Sequence, residues 1–245
     1  MKLSKVLREM GVLAIFCDLD DTLIPTHGLF GVQIALFLEA VVRDIQDIQY
    51  RDIESRLKAS NDELFLASGP QRNNWRITVQ RLILHYGPEF SHIFWGHYHY
   101  LDEIYQKSPS WKEGALEFLS QIAEENIPLV IVTHANKKWT LLKMERLELW
   151  KYVAHVYIVP EAGHKTAREW ASACSLMKLS TSEVIAIGDS TISDMRPSCE
   201  AGISKRIWVN NAVGWDLYKA KGVPAGTLEV TSVSEIVPLL LTKPW

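Results

Sequence analysis

Short apolar segments rich in valine and isoleucine recur along the chain, and most of them are followed by a segment of helical periodicity. The apolar segments lie at residues 12–17, 129–132, 155–159, 184–187 and 206–209. Strands of this kind that alternate with helices are typical of a parallel sheet buried on both faces. The pattern therefore predicts an α/β fold, with a Rossmann-like, mostly parallel sheet and helices on both of its faces.

The segment between the first two predicted strands has a different pattern. It shows helical periodicity and no comparable apolar run, and turn signals at Gly69-Pro70 and Gly87-Pro88 divide it. We predict helices at residues 30–48, 52–66, 72–86 and 90–105. The segment is expected to fold as a small helical bundle of its own. The prediction is a core domain of residues 1–24 and 108–245, with a helical domain of residues 25–107 inserted into it. Helices predicted in the core lie at residues 112–125, 138–149, 166–177, 194–201 and 233–241.

Acidic side chains follow the first predicted strand directly. Asp18, Asp20 and Asp21 come after it within four residues, and Thr22 follows them. Carboxylates this close raise one another's pKa, so several of them stay ionised mainly where a metal ion or a cationic side chain offsets their charge. An acidic turn or a helix N-cap is the alternative interpretation of the same residues.

Polar residues also follow the later strands. Thr133 and His134 follow the second strand, and Lys165 lies at the start of a helix after the third. Gly188-Asp189 and Asp194 follow the fourth. A threonine or a lysine at these positions suits an anion such as phosphate, although a capping threonine and a solvated lysine are the alternatives. Ligands that are all oxygen atoms suit Mg²⁺.

Composition narrows the class of protein. The 245 residues are 47% hydrophobic and 22% charged, with a formal net charge of -3, which indicates a soluble globular chain. There is no dense run of lysine and arginine, so neither nucleic acid nor a membrane is expected as the main partner. The three cysteines are scattered and the N-terminus lacks a signal-peptide pattern, so we expect a cytoplasmic protein.

Taken together, the motifs resemble those of the haloacid dehalogenase superfamily of aspartate-nucleophile hydrolases. Their order and spacing match over essentially the whole chain, and the helical insertion lies where that superfamily has its type-one cap. The matching residues are Asp18-Leu-Asp20-Asp-Thr22 for the first motif, Thr133 for the second, Lys165 for the third, and Gly188-Asp189 with Asp194 for the fourth.

The resemblance implies a role for each of these residues. Asp18 would attack phosphorus to form an aspartyl-phosphate, and Asp20 would protonate the leaving oxygen and then activate water. Mg²⁺ would be held by the Asp18 carboxylate, the backbone carbonyl of Asp20 and Asp189, with Asp194 in support. Thr133 and Lys165 would hold the phosphoryl oxygens.

Two residues depart from the family pattern. His134 stands where the family often has asparagine, and Thr166 follows Lys165 where proline is common. We expect His134 to contact substrate, and also His27, which lies just beyond the first motif. Asp20 argues against a dehalogenase, because a leaving alkoxide needs a proton and a halide does not.

The prediction for function is a Mg²⁺-dependent phosphatase that acts on a small phosphorylated metabolite, either a nucleoside monophosphate or a sugar phosphate. Aromatic and arginine side chains of the insertion, Trp75 and Arg76 among them, are expected either to line the substrate pocket or to form the core and the wet face of the bundle. Two alternatives stay open: a phosphomutase of the same fold, and a non-catalytic regulatory domain that binds phosphate ligands. The chain is expected to be a monomer or a homodimer.

Overall fold

One parallel sheet lies at the centre of the protein. In a computed structural model, residues 2–160, 164–210, 215, 217 and 222–245 are described. Within them six strands are hydrogen-bonded in the order β3-β2-β1-β4-β5-β6, and all neighbouring pairs are parallel. The strands are β1 (Ala14–Cys17), β2 (Leu129–Thr133), β3 (His155–Ile158), β4 (Val184–Gly188), β5 (Lys205–Val209) and β6 (Thr227–Val230).

The five predicted strands are confirmed, and the structure adds β6. This strand pairs with β5 at one edge of the sheet, with Val209 opposite Val230. Its polar residues Thr227 and Glu229 alternate with apolar ones, so it has no continuous apolar run to mark it. β1 begins two residues later than predicted, because the N–H of Val12 bonds to the carbonyl of Leu7 in the turn before the strand.

Helices cover both faces of the sheet, as predicted. Alternate residues of β1 point to opposite sides: Ile15 and Cys17 belong to one hydrophobic cluster, and Ala14 and Phe16 to another. The first cluster includes side chains of α1 (Leu3–Glu9), α7 (Ala115–Glu124) and α11 (Ile236–Leu241). The second includes α9 (Ala167–Leu176), whose Trp170 is fully buried. The helix α1 was not predicted.

A separate layer of helices occupies the chain between β1 and β2. It consists of α2 (Thr26–Asp44), α3 (Tyr50–Ser68), α4 (Asn73–Tyr86), α5 (Ser91–His97) and α6 (His99–Glu103). The helix predicted at 90–105 is therefore interrupted: the N–H of Tyr98 bonds to the carbonyl of Trp95, three residues back, and short 3₁₀ turns lie at Pro88–Phe90 and Ile104–Gln106.

These helices share a hydrophobic cluster of their own. Phe37, Trp75 and Phe94 are buried in it, together with Ala135 and Trp139 from the chain that follows β2. Trp139 lies in α8 (Lys137–Arg146), so α8 joins the sheet to the helical layer. The remaining core helix is α10 (Arg196–Glu200), and it follows a π-helical turn at Thr191–Met195. Among the described residues, no helix is both long enough and apolar enough to cross a membrane.

Candidate active site

The chain turns back on itself directly after β1. The N–H of Asp21 bonds to the carbonyl of Ile24, and Asp21 has a positive φ of 60°. This tight turn places the Thr22 hydroxyl next to two carboxylates: it donates to Asp18 Oδ2 at 3.0 Å and is 3.3 Å from Asp189 Oδ1. The end of β1 and the end of β4 are therefore joined through one threonine side chain.

Lys165 lies between the carboxylates at the centre of the site. Its ammonium donates to Asp18 Oδ1 and to Asp194 Oδ1, both at 2.5 Å, and to the carbonyl of Val132 at 3.1 Å. Only 3% of its surface is exposed. A buried ammonium requires such compensation, because transferring an isolated charge out of water is costly. Lys165 is therefore held by the site and is not a solvated surface lysine.

The loop after β4 fixes Asp194. Its Oδ2 accepts the N–H of Ser190 at 3.0 Å, and the Ser190 hydroxyl in turn accepts the N–H of Ser193. Gly188 leaves the space that this side chain occupies, since a Cβ at that position would lie 2.6 Å from the Cβ of Asp194. A glycine is needed here because of this close approach.

Burial and like charge dominate the electrostatics of the carboxylates. Burial raises the pKa of Asp18 to about 7, against the attraction of Lys165, and the charge of Asp194 adds to the rise. Burial together with the charges of Asp18 and Asp194 holds the pKa of Asp189 well above its usual range. Burial lowers the pKa of Lys165, but the charges of Asp18 and Asp194 outweigh it and raise that pKa. Three buried carboxylates thus face one ammonium.

This excess of negative charge fits a divalent cation. Asp18, Asp189 and Asp194 are all buried, and one oxygen of each lies within 4.8 Å of the others. Hard oxygen ligands in a small cluster suit Mg²⁺, which keeps part of its water shell and binds few protein carboxylates. The residues present therefore fit the metal that the sequence predicts, and Lys165 contacts Asp18 and Asp194 at the same distance, 2.5 Å.

Asp20 is held by a different set of groups. Lys143 donates to both of its oxygens, at 2.5 and 2.7 Å, and the Thr26 hydroxyl donates to Oδ1 at 2.5 Å. The Thr133 hydroxyl is 3.4 Å from Oδ2. The side chain of Asp20 is 20% exposed, so it is partly accessible although Lys143 and Thr26 bind its oxygens.

Lys143 is the site residue that the sequence analysis missed. It lies inside α8, and its side chain is fully buried. Lysines are rarely buried unless paired. Its position was the available signal: Lys143 follows Trp139 by four residues and precedes Met144, and both of these are buried. A lysine at that place in a helix lies on the apolar face.

A cavity opens between this cluster and the helical layer. Its volume is about 940 Å³ including its open mouth, and Asp18, Asp20, Lys165, Asp189 and Asp194 line its floor. One wall is aromatic. It is formed by Phe30, Trp75, Tyr105, Trp139 and Trp215, and the Phe30 ring centroid lies within 6.4 Å of each of the others. Other positions around the cavity carry amides, at Asn61, Gln71, Asn74 and Asn136.

The two histidines expected to contact substrate lie in different places. His134 lines the cavity, and its ring is 5.5 Å from that of His164 and 6.2 Å from that of Phe65. His27 is not among the described residues that line it. Its ring packs edge-on against Trp215 at 4.9 Å, and its backbone N–H donates to Asp21 Oδ1. Thr26, the residue before it, lines the cavity instead.

Some side chains of the inserted helices line the cavity, and others form the core or the surface of the bundle. Trp75 faces the cavity, whereas Phe94 is buried in the bundle core. Arg72 pairs with Asp102 and Arg81 pairs with Glu63 on the surface. Arg76 lines a smaller cleft, which shares Gln71 and Asn136 with the main cavity.

Comparisons with known proteins agree on the family. A model of the haloacid dehalogenase-like hydrolases matches residues 12–198. Two curated relatives are glyceraldehyde 3-phosphate phosphatases. The protein from Pyrococcus abyssi is 26% identical over 202 residues, which are 80% of this chain and 81% of the relative. The protein from Pyrococcus furiosus is 26% identical over 201 residues, which are 80% of each.

Solved structures share the fold at low sequence identity. A haloacid dehalogenase-like hydrolase from Xanthomonas campestris has a TM-score of 0.72 and 18% identity, over 95% of this chain and 91% of its own. A HAD-hydrolase from Bacillus subtilis bound to magnesium has a TM-score of 0.68 and 16% identity, over 94% and 99%. A putative β-phosphoglucomutase from Thermotoga maritima has a TM-score of 0.67 and 17% identity, over 94% and 98%.

These findings confirm the predicted fold class and the predicted kind of enzyme, a hydrolase whose curated relatives are phosphatases. The family model alone covers about three quarters of the chain and spans the strand ends that carry the acidic residues and Lys165. The chain belongs to the haloacid dehalogenase-like hydrolase family.

Proposed function

We propose that the protein is a Mg²⁺-dependent phosphatase that hydrolyses a small phosphorylated metabolite through an aspartyl-phosphate on Asp18. One observation carries the proposal. The Asp18 carboxylate lies at the floor of the cavity and is held on its two oxygens by Lys165 and Thr22. A carboxylate fixed in this way beside a cation is oriented for attack and pays little reorganisation when it reacts.

The first step is attack of an Asp18 oxygen on phosphorus. The new bond to phosphorus forms while the bond to the leaving oxygen breaks, and Asp20 gives its proton to that oxygen. The Lys165 ammonium, which contacts Asp18, is proposed to stabilise the charge that develops on the phosphoryl oxygens. Thr133 is the second residue proposed to hold those oxygens.

The second step releases phosphate. Asp20, now ionised, takes a proton from a water molecule, and the resulting hydroxide attacks phosphorus and breaks the bond to Asp18. The side chain that gives the proton in the first step thus takes one in the second, so the protein ends in its starting state. The hydrogen bonds to Asp20 from Thr26 and Lys143 keep this side chain at one place for both transfers.

The metal is the proposed cofactor. Mg²⁺ would be held by the carboxylates of Asp18 and Asp189 and the backbone carbonyl of Asp20, with Asp194 in support through Lys165. When bound, it supplies charge compensation between the nucleophile and the phosphoryl group. The buried cluster of three carboxylates and one ammonium supports this assignment.

The inserted helices form the proposed cap. Residues 25–107 would be the cap domain, and residues 1–24 and 108–245 the core domain. The cap supplies most of the cavity wall opposite the carboxylates, so it would exclude water during the reaction and select the leaving group. His134, which lines the cavity, is a proposed substrate contact, and His27, whose ring packs against the cavity-lining Trp215, is a second.

Two substrate classes are supported by different observations. The aromatic wall and the amides of the cavity suit a nucleoside, whose base offers a flat face and a hydrogen-bonding edge. The names of the curated relatives favour a small sugar phosphate, glyceraldehyde 3-phosphate. We propose a nucleoside monophosphate or a sugar phosphate, and the two differ in their need for the aromatic wall.

Phosphate release from a panel of compounds tests both levels of the proposal. The panel contains nucleoside monophosphates, sugar phosphates including glyceraldehyde 3-phosphate, and p-nitrophenyl phosphate, each with Mg²⁺ or with EDTA. We expect release that requires Mg²⁺ and is lost in Asp18→Asn. As a matched control, Lys151→Met removes a lysine that pairs with Glu148 on the surface, and it should match the wild type.

A second variant separates the substrate classes. Trp75→Leu should raise KM for a nucleoside monophosphate and leave KM for glyceraldehyde 3-phosphate nearly unchanged if the base packs on this wall. Absence of Mg²⁺-dependent release from every compound would overturn the phosphatase. A phosphomutase would instead give an isomerised product that keeps its phosphate, which ³¹P NMR of the same mixtures detects.

A further inference from the structure

Lys143 makes a two-point contact with Asp20. Its ammonium lies 2.5 Å from Oδ1 and 2.7 Å from Oδ2, and the lysine reaches across from α8 to the turn after β1. Contact with both oxygens restricts the rotation of the carboxylate as well as its position. A single hydrogen bond, such as that from Thr26, would leave the carboxylate free to rotate about it.

The ammonium is itself fixed by a second neighbour. It lies 3.8 Å from the centroid of the Trp139 ring, within the range of a cation–π contact. Trp139 cannot turn freely, because its indole N–H donates to the carbonyl of Lys107 at 2.8 Å. Its backbone N–H also bonds to the Asn136 side chain at 3.1 Å. The lysine therefore rests on a tryptophan that is held once at its ring and once at its backbone.

Burying the Lys143 ammonium against Asp20 costs desolvation free energy. The Lys143 side chain has no exposed surface, and replacing a buried pair with apolar residues is often neutral or stabilising. Stability alone is therefore a weak reason to place a lysine here. No described contact joins Lys143 to Asp18 or Lys165, so its influence on the reaction passes through Asp20.

We propose that Lys143 is a positioning residue that grips both oxygens of Asp20 and so holds this side chain in reach of the leaving oxygen and of the attacking water. The inference rests on the proposed function, in which Asp20 transfers a proton in each step. Proton transfer requires that donor and acceptor lie within hydrogen-bond distance in the reacting complex. A more mobile Asp20 carboxyl would therefore slow both steps.

Two kinds of substrate separate this role from a structural one. p-Nitrophenyl phosphate has a leaving group that needs little proton assistance, whereas the alcohol leaving group of a metabolite needs the proton. In Lys143→Met, the fast release of p-nitrophenolate in the first turnover should stay within about threefold of wild type. Steady-state turnover should fall about 100-fold, because water activation still depends on Asp20. The phosphoenzyme should accumulate, which acid quenching and phosphate counting measure.

The alkyl phosphate with the highest kcat/KM in the panel should respond differently. Both of its steps need Asp20, so kcat in Lys143→Met should fall about 100-fold while KM stays within about twofold. Lys143→Gln keeps an uncharged NH₂ donor, one bond shorter in reach than the ammonium, and should retain more of kcat than the methionine variant. Lys151→Met again serves as the control lysine and should match the wild type in every measurement.

A double-mutant cycle gives the sharpest comparison. Asp20→Asn removes the group through which Lys143 acts, so adding Lys143→Met to it should cause no further loss of kcat. This double variant also carries no unpaired buried charge. Melting temperatures of all variants show whether each is folded, and Lys143→Gln carries the comparison where the methionine variant is not folded.

Three results would overturn the inference. They are wild-type kinetics in Lys143→Met, a further loss when Lys143→Met is added to Asp20→Asn, and an equal loss of the first-turnover burst and the steady-state rate. Failure of the proposed function looks different: the wild type itself would release no phosphate with Mg²⁺, or Asp18→Asn would retain turnover, and the inference would fall with it.

Discussion

At the scale of single residues, the site is a balance between buried carboxylates and one ammonium. Lys165 contacts Asp18 and Asp194, and Asp189 adds a third buried acid. Such an arrangement is stable only where the excess negative charge is offset by protonation of a carboxylate or by a bound metal ion. Removal of one charged side chain should therefore change the free energy of unfolding by more than the loss of its own hydrogen bonds would.

Lys165→Met tests this balance. Without the ammonium, Asp18 and Asp194 lose their cationic partner, and the free energy of unfolding in EDTA at pH 7.5 should fall by about 3–5 kcal/mol. Urea unfolding followed by circular dichroism measures it. Adding Mg²⁺ should restore part of the loss, and Asp194→Asn in the same chain should restore part as well. Lys151→Met should leave the unfolding curve unchanged, and an equally stable Lys165→Met would contradict the balance.

At the scale of elements, the polar residues of the site lie at the carboxyl ends of the central strands. The carboxyl ends of β1, β2 and β4 lie side by side, because these strands are parallel and adjacent in the order β2-β1-β4. An open α/β sheet binds ligands outside the carboxyl ends of its strands, at the point where the strand order reverses direction. The loop after β4 then has to bring Asp194 back toward the sheet, and Gly188 makes room for it.

Gly188→Ala should displace Asp194. The added methyl would overlap a side chain that is held by Lys165 and by the Ser190 N–H, so it has no free direction in which to move. We expect a loss of about 1–3 kcal/mol in unfolding free energy and weaker Mg²⁺ binding by calorimetry. The matched control is Gly31→Ala in α2, where a Cβ meets no atom within 4 Å. That variant should be as stable as the wild type or slightly more stable.

At the scale of the whole molecule, the proposed metal would link the charge of the site to the stability of the fold. In the metal-free protein, burial raises the pKa of Asp18 from 3.8 to about 7. The protonated carboxyl therefore contributes stability that is fully present below pH 3.8 and is lost as the pH rises through about 7. The proposed Mg²⁺ would bind the ionised form, so it would act in the opposite direction.

The increase in melting temperature caused by Mg²⁺ should therefore depend on pH. We expect a larger increase at pH 7.5 than at pH 5.5, because at the lower pH a proton must leave Asp18 before the metal binds. Differential scanning fluorimetry measures the increase, and a tenfold excess of EDTA over the added metal gives the metal-free reference. Asp189→Asn should reduce the increase at both pH values. An increase that is equal at both pH values, or that Asp189→Asn does not change, would contradict the metal assignment.

The proposed cap belongs to the same scale, since it would cover the site only through long-range packing. Trp139 illustrates this: it lies in a core helix, is buried in the cluster of the inserted helices, and bonds to the carbonyl of Lys107 where the insertion returns. Its contacts join the predicted cap to the predicted core. Periodicity predicted the helices on either side of this contact but carried no information about the contact itself.

The sequence by itself determined the α/β fold class, five strands and the position of the inserted helices, because apolar runs and helical periodicity are local patterns that burial imposes. It also placed Asp18, Asp20, Lys165, Asp189 and Asp194 at strand and helix ends, where the topology brings them together. Only the tertiary structure revealed β6, an edge strand without a continuous apolar run. Only the tertiary structure paired Lys143 with Asp20, because a contact across 123 positions in the chain leaves no periodic trace.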